Sequence, residues 1–233
     1  MSFFRRLAVS ISVLGLLGCE QQGDPSPGIV DEQGEPIFTE LFAGGLAQWM
    51  SVSGGSVGGE WQFDDGVVML SAAGGGDILT RQLYEDFELQ IEWKISEGGN
   101  SGIFYGVAPD GQAVWTSGPE FQILDDAAFP DLAGSTETTG AVFGLYAPEK
   151  ASPLPAATGF NSTKIIVRAG LVEHWLNGAK VAEFDMTLND WSKRIADSKF
   201  APYSSFGRIS DGHIALQDHG NQVWYRNARI REL

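Results

Sequence analysis

The sequence predicts an all-β fold, an antiparallel β-sandwich (jelly roll) with a short loop helix. Apolar and polar residues alternate with a period of two in many short segments, which is the pattern of strands buried on one side. Turn signals separate these segments at intervals of about 8–12 residues, as in sandwiches and jelly rolls. Patterns with the period of a long helix are nearly absent, and the 30 glycines among 233 residues suit the many turns that short strands require.

The chain begins with a segment typical of a bacterial lipoprotein signal peptide, predicted over residues 1–18. Arg5 and Arg6 precede an apolar run of eleven residues, and the motif LLGC places a small residue before Cys19. The run is too short for a membrane-spanning helix, which needs about 20 residues. Cys19 is the only cysteine and has no partner for an internal disulfide, so we predict that it is the lipidation site.

Residues 19–37 follow as a predicted flexible tether. They are rich in glycine, proline and acidic residues, so they cannot bury enough apolar surface to offset the entropy of ordering. The segment resembles the signal peptides of lipoproteins from Gram-negative bacteria, and in that resemblance Glu20 rather than Asp after the cysteine implies retention in the outer membrane. We therefore expect a lipid-anchored protein of the cell envelope that faces the periplasm or the exterior. The remaining residues, 38–233, suit a single domain with a full core.

The charge of the chain excludes two classes of partner. The sequence has 15 basic and 30 acidic residues, a net charge of −15, and loss of the leader with Arg5 and Arg6 would leave −17. Such a charge repels both the phosphate backbone and anionic lipid. We therefore expect no nucleic-acid partner and membrane attachment through the N-terminal lipid only.

The strands are predicted from alternation and from the turns between them. The clearest is DFELQIEWKIS, in which the odd-numbered residues from Phe87 to Ile95 form one apolar face. The others are WQFDDGVVMLS (61–71, with an Asp-Gly turn), SGIFYGV (101–107), PEFQILDD (119–126), KIIVRAGLVEHWLNGAKVAEFD (164–185, with turns at Ala169-Gly170 and Asn177-Gly178) and VWYRNARIREL (223–233).

One helix is predicted near residues 188–200, with Asn189 or Asp190 as its N-cap, lying over an edge of the sheet. The glycine-rich segments GGGD (74–77) and GGNSG (98–102) precede no helix, so we interpret them as turns rather than phosphate-binding loops. The sequence contains no HExxH, no CxxC and no nucleophile elbow. Serine hydrolase, zinc protease and nucleotide enzyme are therefore disfavoured.

Two strands carry polar side chains on one face. In GHIALQDHG (212–220), Ile214 and Leu216 point to the core, which puts the row His213, Gln217 and His219 on the other face. In PEFQILDD, Glu120 and Gln122 likewise oppose Phe121 and Ile123. These rows predict a shared polar groove. The alternative is a set of solvated side chains on the open face of a sheet.

Several aromatic residues in polar contexts would suit a sugar ring, whose C–H faces stack on aromatic planes. They are Trp115, Tyr146, Tyr203 and Phe206. Each can also be explained by packing within a loop or the core. His174, next to Trp175 on a strand, is predicted to have a packing or surface role.

Nine segments, in chain order, resemble the 3-keto-disaccharide hydrolase family. They are LFAGGLAQWMSV, WQFDDGVVMLS, GGGDILT, YEDFELQIEWKIS, GGNSGIFYGV, GPEFQILDD, TGAVFGLYAP, VEHWLNGAKV and GHIALQDHGNQVWYRNARIREL. The resemblance runs from about Phe38 to Leu233. It implies a concanavalin A-like jelly roll with a concave groove. It also implies hydrolysis or β-elimination-type cleavage of 3-keto-glycosides, including 3-keto-disaccharides.

Such cleavage needs a base, a leaving-group acid and a stabiliser for the C3 oxyanion. His219 is the first candidate for acid/base work, Glu120 is the alternative base, and Lys199 could polarise the ketone. A divalent cation held by Glu120, His219 or Asp125 could replace Lys199. The candidates for substrate binding are Gln122, Asp125, Gln217, Asn100, Tyr146, Trp115 and His213.

Two other functions compete with this hypothesis. Jelly rolls also serve as lectins, so a non-catalytic carbohydrate-binding module is the main alternative. A conventional glucanase would need closely spaced acids on one strand, such as an ExDxxE-like run, and the sequence has none.

Overall fold

The computed structural model describes residues 37–151 and 153–233. This part of the chain contains thirteen strands and one α-helix. In chain order the elements are β1 (Thr39–Glu40), β2 (Trp49–Ser51), β3 (Trp61–Asp64), β4 (Val67–Leu70), β5 (Ile78–Thr80), β6 (Phe87–Ile95), β7 (Asn100–Val107), β8 (Glu120–Leu124), β9 (Asn161–Arg168), β10 (Leu171–Leu176), β11 (Ala179–Asp185), α1 (Asn189–Ala196), β12 (His213–Leu216) and β13 (Val223–Glu232).

The strands form two antiparallel sheets. The larger has the order β11-β10-β9-β6-β13-β4-β3, with β1 also paired to β13, and the smaller has the order β2-β5-β12-β7-β8. Neighbours in each sheet are often distant in sequence, since β13 lies between β6 and β4 and β12 lies between β5 and β7. This is a jelly-roll β-sandwich, so the predicted fold class is confirmed.

The core lies between the two sheets and follows from the period-two alternation. On β6, the odd-numbered residues from Phe87 to Ile95 are all buried in one hydrophobic cluster, as predicted. On β7, Ile103 and Tyr105 enter the same cluster from the smaller sheet. Because successive side chains of a strand alternate between faces, Asn100, Gly102 and Phe104 must face away from this core.

Three predicted tight turns are confirmed. Asp65-Gly66, Ala169-Gly170 and Asn177-Gly178 each connect two adjacent antiparallel strands. In every case both residues have positive φ, with Asp65 at 44° and Gly66 at 79°, for example. This is the condition for type I′ hairpin turns, whose twist matches that of the strands.

Helix α1 is confirmed, but the prediction of its N-cap is wrong. The cap is Leu188, which makes no side-chain capping bond, and Asn189 is already helical. The Asp190 carboxylate instead accepts hydrogen bonds from Arg194 Nε (2.8 Å) and from a tyrosine hydroxyl. Trp191 and Ile195, one turn apart, are the buried residues of the helix.

His174 has the packing role that was one of its two predicted roles. It is fully buried on β10, with Nδ1 3.2 Å from Gly140 O and Nε2 3.0 Å from the Tyr105 hydroxyl. Burial lowers the pKa of His174 to about 4, so its ring is neutral at neutral pH. Nδ1–H therefore donates to Gly140, and Nε2 accepts from Tyr105.

The predicted signal peptide (1–18), Cys19 and nearly all of the predicted tether (19–37) lie outside the described residues. Within residues 37–151 and 153–233, no helix has the length and apolarity that a membrane crossing would require. The lipid anchor and the boundaries of the single domain, 38–233, stay predictions.

Candidate functional site

A cavity of about 560 Å³ lies on the outer face of the smaller sheet. Its floor comes from β7, β8 and the segment after β12, and its walls come from the loops around residues 74–77, 114–116, 143 and 197–204. The lining residues are Asp77, Asn100, Trp115, Glu120, Gln122, Phe143, Lys199, Phe200, Tyr203, Gln217, Asp218 and His219. The predicted polar groove is therefore present, and seven of the ten predicted catalytic or substrate-binding residues meet in it.

The floor of the cavity is built around Gly102. In the β7–β8 register, Gly102 lies opposite Gln122 and Phe104 lies opposite Glu120. Gln217 joins from the other side, because its backbone N–H donates to Gly102 O at 3.1 Å. A Cβ on Gly102 would lie 2.8 Å from the Glu120 carboxyl carbon. Glycine is thus required here for space, since the Glu120 carboxylate occupies the volume above it.

Glu120 is buried, and its ionisation is strongly perturbed. Desolvation raises the pKa of Glu120 to about 8, against the opposing attraction of Lys199, while the nearby Asp77 charge raises it further. Its carboxylate forms no hydrogen bond or ion pair with any residue in the described part of the chain. A carboxyl group with this pKa is mainly protonated at pH 7 and can donate or accept a proton near neutral pH.

Three amide oxygens of residues that line the cavity are buried without hydrogen-bond partners among the described residues. They are Asn100 Oδ1, Gln122 Oε1 and Gln217 Oε1. Gln122 is oriented by its own Nε2, which donates to Glu137 O at 3.2 Å. Buried polar atoms are normally paired, so these oxygens indicate a ligand with several donors. The hydroxyl groups of a sugar are such donors.

Asp218 holds together the polar end of the cavity. Its Oδ2 accepts the backbone N–H groups of Gly74 and Gly76, both at 2.9 Å, and its own N–H donates to Asp77 Oδ1 at 2.9 Å. The GGGD segment is therefore a turn, as predicted, and it also brings Asp77 to the site. Burial raises the pKa of Asp77, partly offset by the Asp218 N–H. His219, the next residue, is exposed at the rim.

The opposite wall is aromatic and carries Lys199. Lys199 Nζ lies 3.9 Å from the centroid of the Phe143 ring. The segment after α1 is anchored by Phe206, which stacks on Phe200 at 4.0 Å and is 1% exposed. Tyr203, in the same segment, contacts Trp115 edge to face at 5.2 Å. Of the aromatic residues suggested for sugar binding, Trp115 and Tyr203 line the cavity, whereas Phe206 belongs to the core.

Three predicted substrate-binding residues do not line the cavity. His213 lies opposite Val107, at the other end of β12 from Gln217, and it is buried outside the cavity. Asp125 lies beyond the end of β8, where its carboxylate accepts the Gly98 N–H at 2.8 Å. Tyr146 stacks on Phe184 at 5.0 Å and donates to Asp190. The prediction that these three side chains contact substrate in this cavity is corrected accordingly.

Of the three residues predicted as alternative ligands of a divalent cation, two lie in the cavity. Glu120 and His219 line the cavity, but Asp125 is engaged elsewhere. Among the described residues, no group of three or more His, Cys, Asp or Glu side chains is placed to hold a metal ion.

Asp77, Phe143, Phe200 and Asp218 also line the cavity, although sequence reasoning did not propose them as site residues. For Asp77, the one local signal was its position between the glycine-rich turn and the start of β5, which places an acid at the end of a strand. Phe143 and Phe200 carry no local pattern that separates them from core aromatics.

A jelly-roll sandwich with a groove of amides, carboxyls and aromatic rings is the architecture expected of a carbohydrate-active protein. The model of one family, described as the 3-keto-alpha-glucoside-1,2-lyase-like domain, matches residues 37–231. The chain belongs to this family, which confirms the resemblance drawn from its motifs. It is a glycosyl hydrolase-like, carbohydrate-active protein.

Similar proteins agree with this assignment. A 3-keto-disaccharide hydrolase from Bacteroides thetaiotaomicron is 30% identical over 218 residues, which cover 79% of this chain and 74% of the relative. A crystal structure of a candidate glycosyl hydrolase from Parabacteroides distasonis has a TM-score of 0.75 at 32% identity, covering 84% of this chain and 94% of that one. A Bacillus subtilis protein with a galectin-like fold shares the fold, with a TM-score of 0.56 at 15% identity, covering 84% and 94%.

Proposed function

We propose that the protein cleaves 3-keto-glycosides, including 3-keto-disaccharides, by elimination of the C1 substituent followed by hydration. The observation that carries the proposal is Glu120, a buried carboxyl group with a pKa of about 8 on the floor of the cavity. The 3-keto-disaccharide hydrolase activity in the name of the relative from B. thetaiotaomicron supports the choice of substrate.

The C3 ketone makes the chemistry accessible to ordinary side chains. A base removes the C2 proton, and the electron pair of the C–H bond forms the C1=C2 double bond. The C1–O bond breaks, and the leaving oxygen keeps its electrons and takes a proton from an acid. Water then adds a hydroxyl group to C1 and a proton to C2. The sum is 3-keto-glycoside plus water giving 3-keto-glucose plus the free alcohol.

We assign the two proton transfers to Glu120 and His219. The raised pKa of Glu120 keeps it protonated at neutral pH, which suits the acid that protonates the leaving oxygen. His219, at the polar rim, is the base for the C2 proton. Lys199 is close enough to Glu120 that its positive charge lowers the Glu120 pKa, and the same charge would stabilise the enolate oxygen.

The pH dependence of kcat/KM tests the direction of the Glu120 proton transfer. An acid must be protonated, so kcat/KM should fall about tenfold per pH unit above pH 8, where Glu120 ionises. If Glu120 were the base, kcat/KM would instead rise as the pH passes through 8. A profile recorded from pH 6 to 10 on one 3-keto-glucoside distinguishes the two roles.

A second candidate function follows from Asp77. Asp77 and Glu120 line the same cavity, although they are 43 residues apart and share no sequence motif. Two carboxyl groups in one groove can also hydrolyse an unoxidised glycoside, one as acid and the other as nucleophile or base. Burial raises both pKa values, and an ordinary glycosidase needs that shift in only one partner.

The deciding experiment uses protein lacking residues 1–19 and matched pairs of 3-keto and unoxidised glucosides, each with and without a chelator. We expect product from the oxidised member only, and a His219→Ala variant should lose most of the turnover. Equal cleavage of both members would contradict elimination and favour the Asp77–Glu120 pair. Tight glycan binding with no product from either would favour the lectin alternative.

The location of the protein is a separate proposal. We propose that Cys19 is acylated after removal of residues 1–18 and that the domain is held at the outer membrane by this lipid. Expression of the full chain and of a Cys19→Ser variant tests it. The parent chain should partition into detergent extracts of outer membrane, and the variant should not. Equal partitioning would contradict lipid attachment.

A further inference from the structure

We infer that the aromatic end of the cavity, formed by Trp115 and Tyr203, binds a ring of the leaving group. The preferred substrates would then be 3-keto-glycosides whose aglycone is a second sugar or an aryl group. The inference rests on the proposed function. It adds which end of the cavity binds the keto sugar and which end binds the leaving group.

The strand register separates the two ends of the cavity. The part of β7 that pairs with β8 runs from Asn100 to Phe104, with Gly102 at its middle, and Phe104 lies opposite Glu120. Gln217 bonds to Gly102, so the following residues Asp218 and His219 continue towards the Asn100 end. Asn100, Asp218 and His219 thus lie at one end of the floor. The β7–β8 connection lies at the other end, beyond Glu120.

Trp115 lies in that connection. It is the middle residue of a 3-10 turn, Val114–Thr116, between the end of β7 and the start of β8. The order along the floor is therefore His219 and Asn100, then Gln122 and Gln217, then Glu120, and finally Trp115. The four-residue step from Asn100 to Phe104, opposite Glu120, spans about 13 Å. This length leaves room for one pyranose ring on the polar side of Glu120, and a ring across the scissile oxygen then lies on the Trp115 side.

The residues on either side of Trp115 fix the turn that exposes its side chain. Its side chain is 42% exposed, whereas the adjacent Val114 is fully buried against Phe104 and Val107. Thr116 Oγ1 donates to Ala113 O at 2.7 Å, which closes the turn. The indole N–H forms no hydrogen bond with any residue in the described part of the chain, so it can donate to a ligand.

The comparison with the other half-exposed tryptophans strengthens the assignment. On the larger sheet, Trp175 has Lys164 Nζ at 4.0 Å from its ring centroid, and Trp224 has Lys94 Nζ at 4.4 Å. The contact of Trp115 is instead the edge-to-face pair with Tyr203, at an interplanar angle of 89°. This pair forms two perpendicular apolar surfaces, which a flat aryl ring or the C–H face of a sugar can contact together.

The experiment measures kcat/KM for methyl and phenyl 3-keto-glucosides, as both anomers, with the wild type, Trp115→Ala, Tyr203→Ala and the control Trp175→Ala. Each variant is compared with the wild type on the same substrate, so the different leaving-group abilities cancel. Trp115→Ala should lower kcat/KM about five- to tenfold on the phenyl substrate and leave the methyl substrate within a factor of about two. Tyr203→Ala should show the same selectivity, and Trp175→Ala should change neither.

Two results would overturn the inference in distinguishable ways. Equal losses on the methyl and phenyl substrates would show that Trp115 contacts the keto ring, and the proposed function would survive. No cleavage of any 3-keto-glucoside by the wild type would overturn the proposed function and this assignment with it. Thermal unfolding midpoints of the variants serve as the folding control, because Trp115 is exposed and its removal opens no core cavity.

Discussion

The outer faces of the two sheets carry similar residues and treat them differently. On the larger sheet the acids are paired, with Glu88 2.6 Å from Arg231 and Glu92 2.7 Å from Arg226. Lysine side chains lie over its partly buried tryptophans, Trp175 and Trp224. On the smaller sheet, Glu120 is buried with no ion pair among the described residues.

This difference in pairing shifts the pKa values of the carboxyl groups on the two faces in opposite directions. Partial burial alone would raise the pKa of Glu88 and Glu92, but hydrogen bonds from Gln90 and Asn227 and the paired arginines lower both values. An unpaired buried carboxyl group shifts the other way, as Glu120 does. A buried, unpaired carboxyl group lowers the stability of the fold, and groups with strongly shifted pKa values cluster at functional sites. The outer face of the smaller sheet is therefore the face to test for activity.

The largest effect is expected from Glu120→Gln. Loss of a general acid should lower kcat/KM by about 10²- to 10⁴-fold. The pKa of Glu120 is 4.5 when unfolded and about 8 when folded, so its ionisation destabilises the fold increasingly as the pH rises from 4.5 to 8. The variant should therefore be more stable than the wild type at pH 8 and not at pH 4, as measured by urea unfolding.

Glu92→Gln is the matched control, since it makes the same change on the paired face. It should keep full activity and gain no stability at pH 8. Loss of activity in Glu92→Gln, or retained activity in Glu120→Gln, would contradict the distinction between the two faces.

Gly102→Ala sharpens the comparison without removing any charge. The new methyl group would overlap the Glu120 carboxylate, so the carboxylate must move. A displacement of about 1 Å at a reacting group costs on the order of 10²-fold in rate, and steady-state kinetics should show the loss in kcat. Gly59→Ala is the control, because nothing lies within 4 Å of a Cβ there and its φ is not positive. Equal rates for the two variants would mean that Glu120 needs no fixed position.

His174 tests the core that both faces share. Its pKa is about 4 when folded and 6.5 when unfolded, so the unfolded chain binds the extra proton between these values. Stability should be fully present above pH 6.5 and fall as the pH drops towards 4, by up to about 3 kcal/mol. His174→Gln should flatten this part of the stability profile, as measured by urea unfolding between pH 4 and 7. A His174→Gln profile as steep as the wild type would assign the effect to other groups.

The smallest effect is expected from Arg226→Gln on the larger sheet. The variant breaks the ion pair with Glu92, which is partly exposed, and such pairs contribute about 0–1 kcal/mol. Activity should be unchanged. A loss of activity as large as that of Gly102→Ala would show that the larger sheet takes part in the function.

Much of the site could be predicted from alternation alone. Glu120 and Gln122 needed only the period of a strand, because Phe121 and Ile123 had to face the core. Alternation does not fix where a residue lies along the sheet, and His213 pairs with Val107 at the other end of β12 from Gln217. Tyr146 and Asp125 were misplaced because polar context cannot distinguish a ligand contact from bonds such as Tyr146 to Asp190.

The sequence by itself determined the sandwich, its turns and its family, because periodicity, positive-φ turn residues and family motifs are local and ordered along the chain. Only the tertiary structure decided that Asp77 joins Glu120 and that Trp115 lies beyond Glu120 from His219. Those facts depend on strand order and register, which pair residues more than 100 positions apart, as Asp77 pairs with Asp218. The pKa of Glu120 is likewise a tertiary property, since burial from every side sets it.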